Sequence, residues 1–159
     1  MSVRIGFGFD VHQLAAERAL VLGGVTVPFS KGLSGHSDAD VLIHAICDAL
    51  LGAAGLRDIG FHFPNTDDQY KNIDSRELLK RVMKQLVEKK FRIGNIDATL
   101  CLEQPKINPH IPAMKKALAD TLGIAEDDIS IKATTNERMG FIGREEGVTA
   151  YAVALIESV

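Results

Sequence analysis

Val3, Ile5, Phe7, Phe9 and Val11 alternate with Arg4, Gly6, Gly8, Asp10 and His12, a period of two that predicts a strand over residues 3–12. Asp10 and His12 then share one face. Gly6 and Gly8 lie upstream on that face, and their missing side chains predict room for something large to approach the carboxylate and the imidazole. Leu20 to Pro28, with Gly23-Gly24 inside it, predicts a bent or paired strand, and Lys31 to Gly35 a loop. Ser37 occupies an N-cap position with Asp40 three residues on, which predicts a helix from about Asp38 to Gly52. Residues 57–74 hold Gly, Pro, Asn and several Asp without a sustained period and predict a long polar loop. Asp74 or Ser75 is expected to cap a second helix running through Lys89, with Leu78, Leu79, Val82 and Leu86 on its inner stripe. Asn95 to Glu103 alternates again, with Ile96, Ala98, Leu100 and Leu102 on one face. Pro112 suits the first turn of a third helix and Gly123 its stop. Two final strands are expected near Ile129 to Thr135 and Gly147 to Ile156.

Strands and helices interleave without an internal repeat, so the expected fold class is α/β (α+β). Its form is a two-layer sandwich, a mixed four- to five-stranded sheet with helices on one face, in one domain over residues 1–159. The last strand offers apolar or small residues on both sides, which predicts self-association over the sheet face that no helix covers. The chain is 46% hydrophobic and 25% charged with a net charge of −3, an ordinary globular balance, and no Lys/Arg cluster is long enough to track a duplex. Nucleic acid is therefore not an expected partner. The most apolar stretch, residues 41–55, is interrupted by His44 and Asp48, and no basic-then-apolar leader pattern opens the chain, so no membrane span and a cytoplasmic location are expected. Cys47 and Cys101 lack any C-x-x-C spacing and read as small apolar residues.

Asp40, His44 and Asp48 are four apart and form one polar stripe on an otherwise apolar helix. Alone, His44 reads as a core histidine satisfied by a carboxylate one turn away. Together with Asp10 and His12 it makes two imidazoles and a carboxylate, a zinc ligand set that leaves a coordination position open. Asp40 or Asp48 is then a candidate to orient His44. In the segment Lys132-Ala133-Thr134-Thr135-Asn136-Glu137, followed by Gly140, Phe141, Gly143 and Arg144, hydroxyls, amides and a guanidinium suit phosphate oxygens. Glu137 there suits a hard cation such as magnesium; a plain strand end with solvated charges is the competing reading. His36-Ser37, at the expected helix start, is a second candidate anion contact. No P-loop or dinucleotide fingerprint is present, and no activated nucleophile stands out.

Gly6-x-Gly8-Phe9-Asp10-Val11-His12, His36-Ser37-Asp38-x-Asp40, Asp58-Ile59-Gly60, Pro109-His110-Ile111-Pro112 and Lys132-Ala133-Thr134-Thr135-x-Glu137 occur in this order. With them the chain resembles, over essentially its whole length, the 2-C-methyl-D-erythritol 2,4-cyclodiphosphate synthase family. The resemblance implies conversion of 4-diphosphocytidyl-2-C-methyl-D-erythritol 2-phosphate to the cyclic diphosphate with release of CMP, in non-mevalonate isoprenoid precursor synthesis. It implies zinc on Asp10, His12 and His44, and magnesium or manganese held with the help of Glu137. His36 and Thr135 would assist the transition state. Substrate contacts are implied for Asp10, His12, His36 and Ser37, for Asp58, Ile59 and Gly60, and for Phe63, Pro64, Asn65, Thr66 and Asp67. Leu102, Lys106 and Asn108, with Thr134, Thr135, Asn136, Glu137, Phe141 and Arg144, complete that set. The family relationship also implies a homotrimer, its sheets packed together, with active sites at subunit interfaces. Phe9, Phe141, Arg144 and Glu146 would line an axial cavity able to take an isoprenoid diphosphate. The implied compartment is the cytoplasm, or the plastid stroma after removal of a transit peptide. Asn65 and Asn136 stand where many relatives carry Asp and Thr.

In the implied reaction the 2-phosphate oxygen of the substrate attacks its own β-phosphorus, so a tethered nucleophile replaces a catalytic Ser or Cys, and folding the substrate is most of the work. Two other readings use the same residues. One is a zinc phosphohydrolase on the same triad, the other a metal-stabilised trimeric binding module.

Overall fold

The computed structural model describes residues 2–159. The first alternating run forms β1 (Val3–Ala16), continuing past His12, and the glycine pair at Gly23-Gly24 turns the chain between β2 (Leu20–Leu22) and β3 (Val25–Val27). Both glycines hold positive φ, 59° and 77°. Lys31–Leu33, expected as loop, is a short strand, β4, because Leu14 and Ala16 at the end of β1 pair with Leu33 and Lys31. β5 (Phe91–Cys101), β6 (Ile129–Thr134) and β7 (Gly147–Ser158) complete a five-stranded sheet of order β4-β1-β7-β5-β6. Only β5 and β6 run parallel; the crossover between them carries α4 (Ile111–Leu122), which Gly123 ends in a left-handed conformation at φ 69°. The mixed two-layer α+β architecture matches the expectation.

α1 (Val41–Ala53) packs on β1 and β7, α3 (Ser75–Glu88) on α1 and β5, and α4 on β6 and α3. α3 and α4 each bury one stripe. In α3 Leu78, Leu79, Val82 and Leu86 lie in the core, as their spacing required. α1 is apolar nearly all round, with ten of its residues buried, so it is the central element of the helical layer. It begins at Val41 rather than Asp38, and its N-cap is Asp40 rather than Ser37. The reason is a contact 17 residues back in the chain. The fully buried Asp40 carboxylate accepts the Ile43 N–H at 3.0 Å and also the N–H groups of Gly23 and Gly24 at 2.9 and 2.7 Å. Burial pushes that carboxyl up to about 6 against the three donors that favour its anion.

Gly6 and Gly8 do not open a space for a ligand. A Cβ on Gly6 would stand 1.9 Å from the Ala49 carbonyl oxygen, and one on Gly8 1.9 Å from that of Ala45. The glycines let α1 lie directly on the β1 backbone, a close approach that only missing side chains permit. Residues 57–74 also contain more order than expected, with α2 (Ile59–His62) and a 3₁₀ turn at Asp68–Tyr70. Their caps are Asp58, accepting from Phe61 N–H, and Asp67, accepting from Gln69 N–H. The remaining short helix is α5 (Gly140–Gly143).

On the face of the sheet away from the helices, Val3, Ile5, Phe7, Phe9, Val11, Tyr151 and Val153 are exposed, from 38% at Tyr151 to 72% at Ile5. The Phe9 and Tyr151 rings stand 5.2 Å apart across the strand pair. Monomeric proteins rarely expose a contiguous apolar face of this kind. Among the described residues no helix is long and apolar enough to cross a membrane. Cys47 is buried and Cys101 half-buried, and both are free.

Candidate metal centre and active site

β1 aims Asp10 and His12 at α1, and α1 returns His44 toward them across the glycine seam. Asp10 Oδ2 lies 2.9 Å from His12 Nε2 and 3.1 Å from His44 Nδ1, and the two imidazole nitrogens are 3.2 Å apart. Among the described residues this is the one cluster of three such side chains able to hold a metal ion. The hydrogen bonds behind the rings decide what faces inward. His12 Nδ1 is 2.9 Å from the Ser34 carbonyl oxygen, which only accepts, so the proton sits on Nδ1 and Nε2 presents a lone pair. His44 Nε2 lies 2.9 Å from Ser75 Oγ, whose own proton goes to Asp38 Oδ1 at 2.5 Å; Nε2 therefore donates and Nδ1 presents a lone pair.

Two imidazole lone pairs and a carboxylate oxygen thus converge with no donor among them. A cation resolves that repulsion. A proton does so in part, which is why the Asp10 hydrogen bond and charge raise the His12 pKa despite its burial. Burial opposes the Asp10 charge too, yet His12 and His44 bring that carboxyl down to about 2. A divalent metal does so fully. Tetrahedral ligands at about 2.0–2.1 Å from zinc stand about 3.3 Å from one another, close to the three separations here. The donor set fits a divalent metal. Neither Asp40 nor Asp48 orients His44, contrary to expectation: Asp40 caps α1, and Asp48 accepts the Ile59 N–H at 2.7 Å, fixing the start of α2.

The triad opens into a cavity of about 390 Å³ lined by His12, His36, Ser37, His44, Ile59, Gly60, Phe63, Pro64, Asn65 and Thr66, with Tyr70 and Leu78 behind. His36 and Ser37 are not at a helix start, since α1 begins four residues past Ser37; they sit on the strap between β4 and α1. His36 Nε2 donates to the Asp67 carbonyl at 3.0 Å, leaving its other nitrogen free for a ligand. The Arg18 guanidinium donates to the carbonyls of Leu33 and Ser37 at 3.0 and 3.2 Å, holding that strap down. Sequence reading gave Arg18 no role, because its partners are backbone atoms.

A second cavity, of about 430 Å³, is lined by residues 102–108 together with Ala133, Thr134, Thr135, Glu137 and Arg138. Leu102, Lys106 and Asn108 line it as expected. Glu103 Oε1 accepts the N–H groups of Asn136 and Arg138 at 2.8 and 3.2 Å, tying down a turn in which Glu137 and Arg138 both hold positive φ, 51° and 60°. The expected phosphate cradle therefore divides. Lys132 turns away to pair with Asp97 at 2.5 Å, the Asn136 side chain donates to the Met139 carbonyl, and Arg144 pairs with Glu146 at 2.9 Å. Phe141 lies in another recess with Val11, Gln13, Glu146 and Gly147.

The two cavities share one end of the sheet but not one another. Register runs Val11 to Thr149 to Cys101 to Thr134, three strand spacings, or about 14 Å. Within one chain Thr135 and Glu137 thus stand three strands across the sheet from the triad. Around Glu137 no second cluster of three metal-binding side chains forms among the described residues.

A profile of the YgbB family matches residues 3–157. The chain is 60% identical over 159 residues to a Bacteroides fragilis protein named 2-C-methyl-D-erythritol 2,4-cyclodiphosphate synthase, covering 100% of each. Among solved structures it is similar to the bifunctional IspDF of Campylobacter jejuni, with a TM-score of 0.96 and 42% identity over 99% of this chain and 43% of that one. It is also similar to the Plasmodium falciparum IspF in its CDP complex, with a TM-score of 0.88 and 32% identity over 99% and 97%. Matched from end to end in sequence and in fold, the chain belongs to the YgbB family, that of the 2-C-methyl-D-erythritol 2,4-cyclodiphosphate synthases.

Proposed function

We propose that this chain converts 4-diphosphocytidyl-2-C-methyl-D-erythritol 2-phosphate to 2-C-methyl-D-erythritol 2,4-cyclodiphosphate and CMP, by attack of the 2-phosphate on the β-phosphorus. The observation that carries the reading is the convergence of two imidazole lone pairs and a carboxylate at the mouth of a cavity without an activated nucleophile. Zinc is the metal assigned to Asp10, His12 and His44, and magnesium or manganese the second ion, which Glu137 would help to hold. Bound at the triad, zinc supplies Lewis-acid polarisation of a phosphoryl oxygen. His36 and Ser37 bind and orient the phosphates on one side, and the Thr135 hydroxyl donates to the oxygens that gain charge on the other. Asp58, Ile59 and Gly60, with Phe63 to Asp67, hold the erythritol part and exclude water from it. The residue 102–108 cavity holds the cytidine; that a cytidine nucleotide is the ligand is supported by the CDP complex of the Plasmodium falciparum relative.

The 14 Å between the half-sites and the bare apolar sheet face together favour a homotrimer in which each active site takes one half from each of two subunits. In that assembly Phe9, Phe141, Arg144 and Glu146 surround the axis, where an isoprenoid diphosphate is the expected guest. The working compartment is the cytoplasm.

Phosphorus NMR of protein incubated with the cytidyl substrate, zinc and magnesium tests the reading. The cyclic diphosphate and CMP are expected; a linear phosphate product carrying solvent oxygen would establish a phosphohydrolase instead. Unfolding of the trimer on metal removal, with no turnover under any condition, would leave only a metal-stabilised binding module.

A further inference from the structure

The structure assigns Ser75 and Asp38 as positioning residues that set the tautomer of His44 and so its strength as a metal ligand, an inference that rests on the metal centre described above. Ser75 is the first residue of α3, fully buried, and 31 positions from His44 in sequence. Its hydroxyl has two partners, His44 Nε2 at 2.9 Å and Asp38 Oδ1 at 2.5 Å. A carboxylate only accepts, so the single hydroxyl proton belongs to Asp38 and the serine oxygen is left as an acceptor facing the ring. The Ser75 N–H also donates to Asp38 Oδ2 at 3.0 Å, which seats the carboxylate bidentately on one residue and removes its freedom to turn.

Protonation of His44 at Nε2 follows, and Nδ1 is held bare toward Asp10 and His12. The other oxygen near the ring, Ser37 Oγ, lies 3.2 Å from Nε2 and accepts the Ala39 N–H at 3.1 Å; with its second lone pair it can accept from the same ring N–H, so the Ser75–Asp38 pair is what sets the direction. The chain of contacts runs from a charge on the strap, through the start of α3, to the inward nitrogen. A histidine ligand whose far N–H lacks such a partner binds metal about 10–100-fold more weakly. Asp38 thus reaches the metal through two other side chains, across the junction of α1 and α3.

Nitrogen-15 NMR of metal-free protein at about pH 8, where imidazoles are neutral, reads the tautomer directly and needs no variant. His44 protonated at Nε2 is expected, and His44 protonated at Nδ1 would overturn the inference. Ser75→Ala keeps the backbone N–H that grips Asp38 and removes only the acceptor. It is expected to give a mixture of His44 tautomers and a zinc dissociation constant about 10–100-fold weaker, measured by chelator competition. Asp38→Ala, which frees the serine proton to turn toward the ring, is expected to shift both readouts in the same direction. Ser75→Ala protein that melts earlier but binds zinc as wild type does, with an unchanged tautomer, would show that Ser75 only packs the helix start. Wild-type protein that takes up no zinc would overturn the metal centre itself and this inference with it.

Discussion

The two cavities at the end of the sheet are built by opposite means. The metal cavity takes its chemistry from side chains on a strand and a helix, each ring fixed from behind by a hydrogen bond. The residue 102–138 cavity takes its shape from backbone, with Glu103 pinning a turn that contains two left-handed residues. The first arrangement sets direction through regular structure, which tolerates little drift. The second stores about 1–3 kcal/mol per left-handed residue and depends on one carboxylate to hold it. If the comparison is right, lesions in the two halves separate metal binding from turnover.

The largest effect is expected for His44→Ala. Losing one of three ligands should abolish stoichiometric zinc and lower kcat/KM by about 10³-fold or more, as several kcal/mol of charge stabilisation disappear. Metal analysis beside steady-state kinetics checks it. Glu103→Ala should do the converse, lowering kcat/KM about 10–100-fold through a loosened Thr135–Arg138 turn while zinc content stays at the wild-type level. Loss of zinc in that variant would mean the halves are not independent. Gly8→Ala attacks the support of the first half: forcing a methyl group against the Ala45 carbonyl should destabilise by about 1–3 kcal/mol in denaturant titrations and weaken zinc, since His44 rides on the displaced helix. Zinc affinity equal to wild type after that substitution would break the claim that α1 and β1 hold the site as one body.

The smallest effect is in pH. The raised His12 pKa means that metal-free protein gains stability from this group below about pH 6.5, the ordinary value, and loses it as pH rises through the folded-state value. Protons also compete with zinc at His12, and in that same window the metal-loaded form should gain on the metal-free one as pH rises. Thermal melts with and without zinc across this range should therefore diverge. Asp10, ionised down to about 2, takes no part in the change.

How much of this the sequence disclosed follows the same division. Period-two alternation placed Asp10 and His12 together, and helical spacing turned His44 inward, because direction in regular elements is a local property. The inner stripe of α3 and the glycine stop of α4 were legible for the same reason. The cap of α1 was not: Ser37 and Asp40 both suit an N-cap locally, and the choice fell to the amides of Gly23 and Gly24 on a distant hairpin. Gly6 and Gly8 looked like vacancies for a ligand, since a strand pattern records the absence of a side chain but not the helix that fills the gap. The contacts made by Ser75, Asp38, Arg18 and Glu103 were not legible because their partners lie 15–37 positions away or are backbone atoms. Phe63 to Thr66 were recognisable only through the family resemblance, which covers what local periodicity leaves blank.

The seam of Gly6 and Gly8 against α1 has a consequence for which ion the triad accepts. With helix and strand in backbone contact, the three donor atoms keep edges of 2.9–3.2 Å and cannot spread without unseating α1 from the sheet. Calcium takes six to eight oxygen ligands at about 2.3–2.6 Å, whereas two imidazoles and one carboxylate are the donors that zinc takes. Two missing methyl groups on a strand thereby decide where those nitrogen and oxygen donors meet.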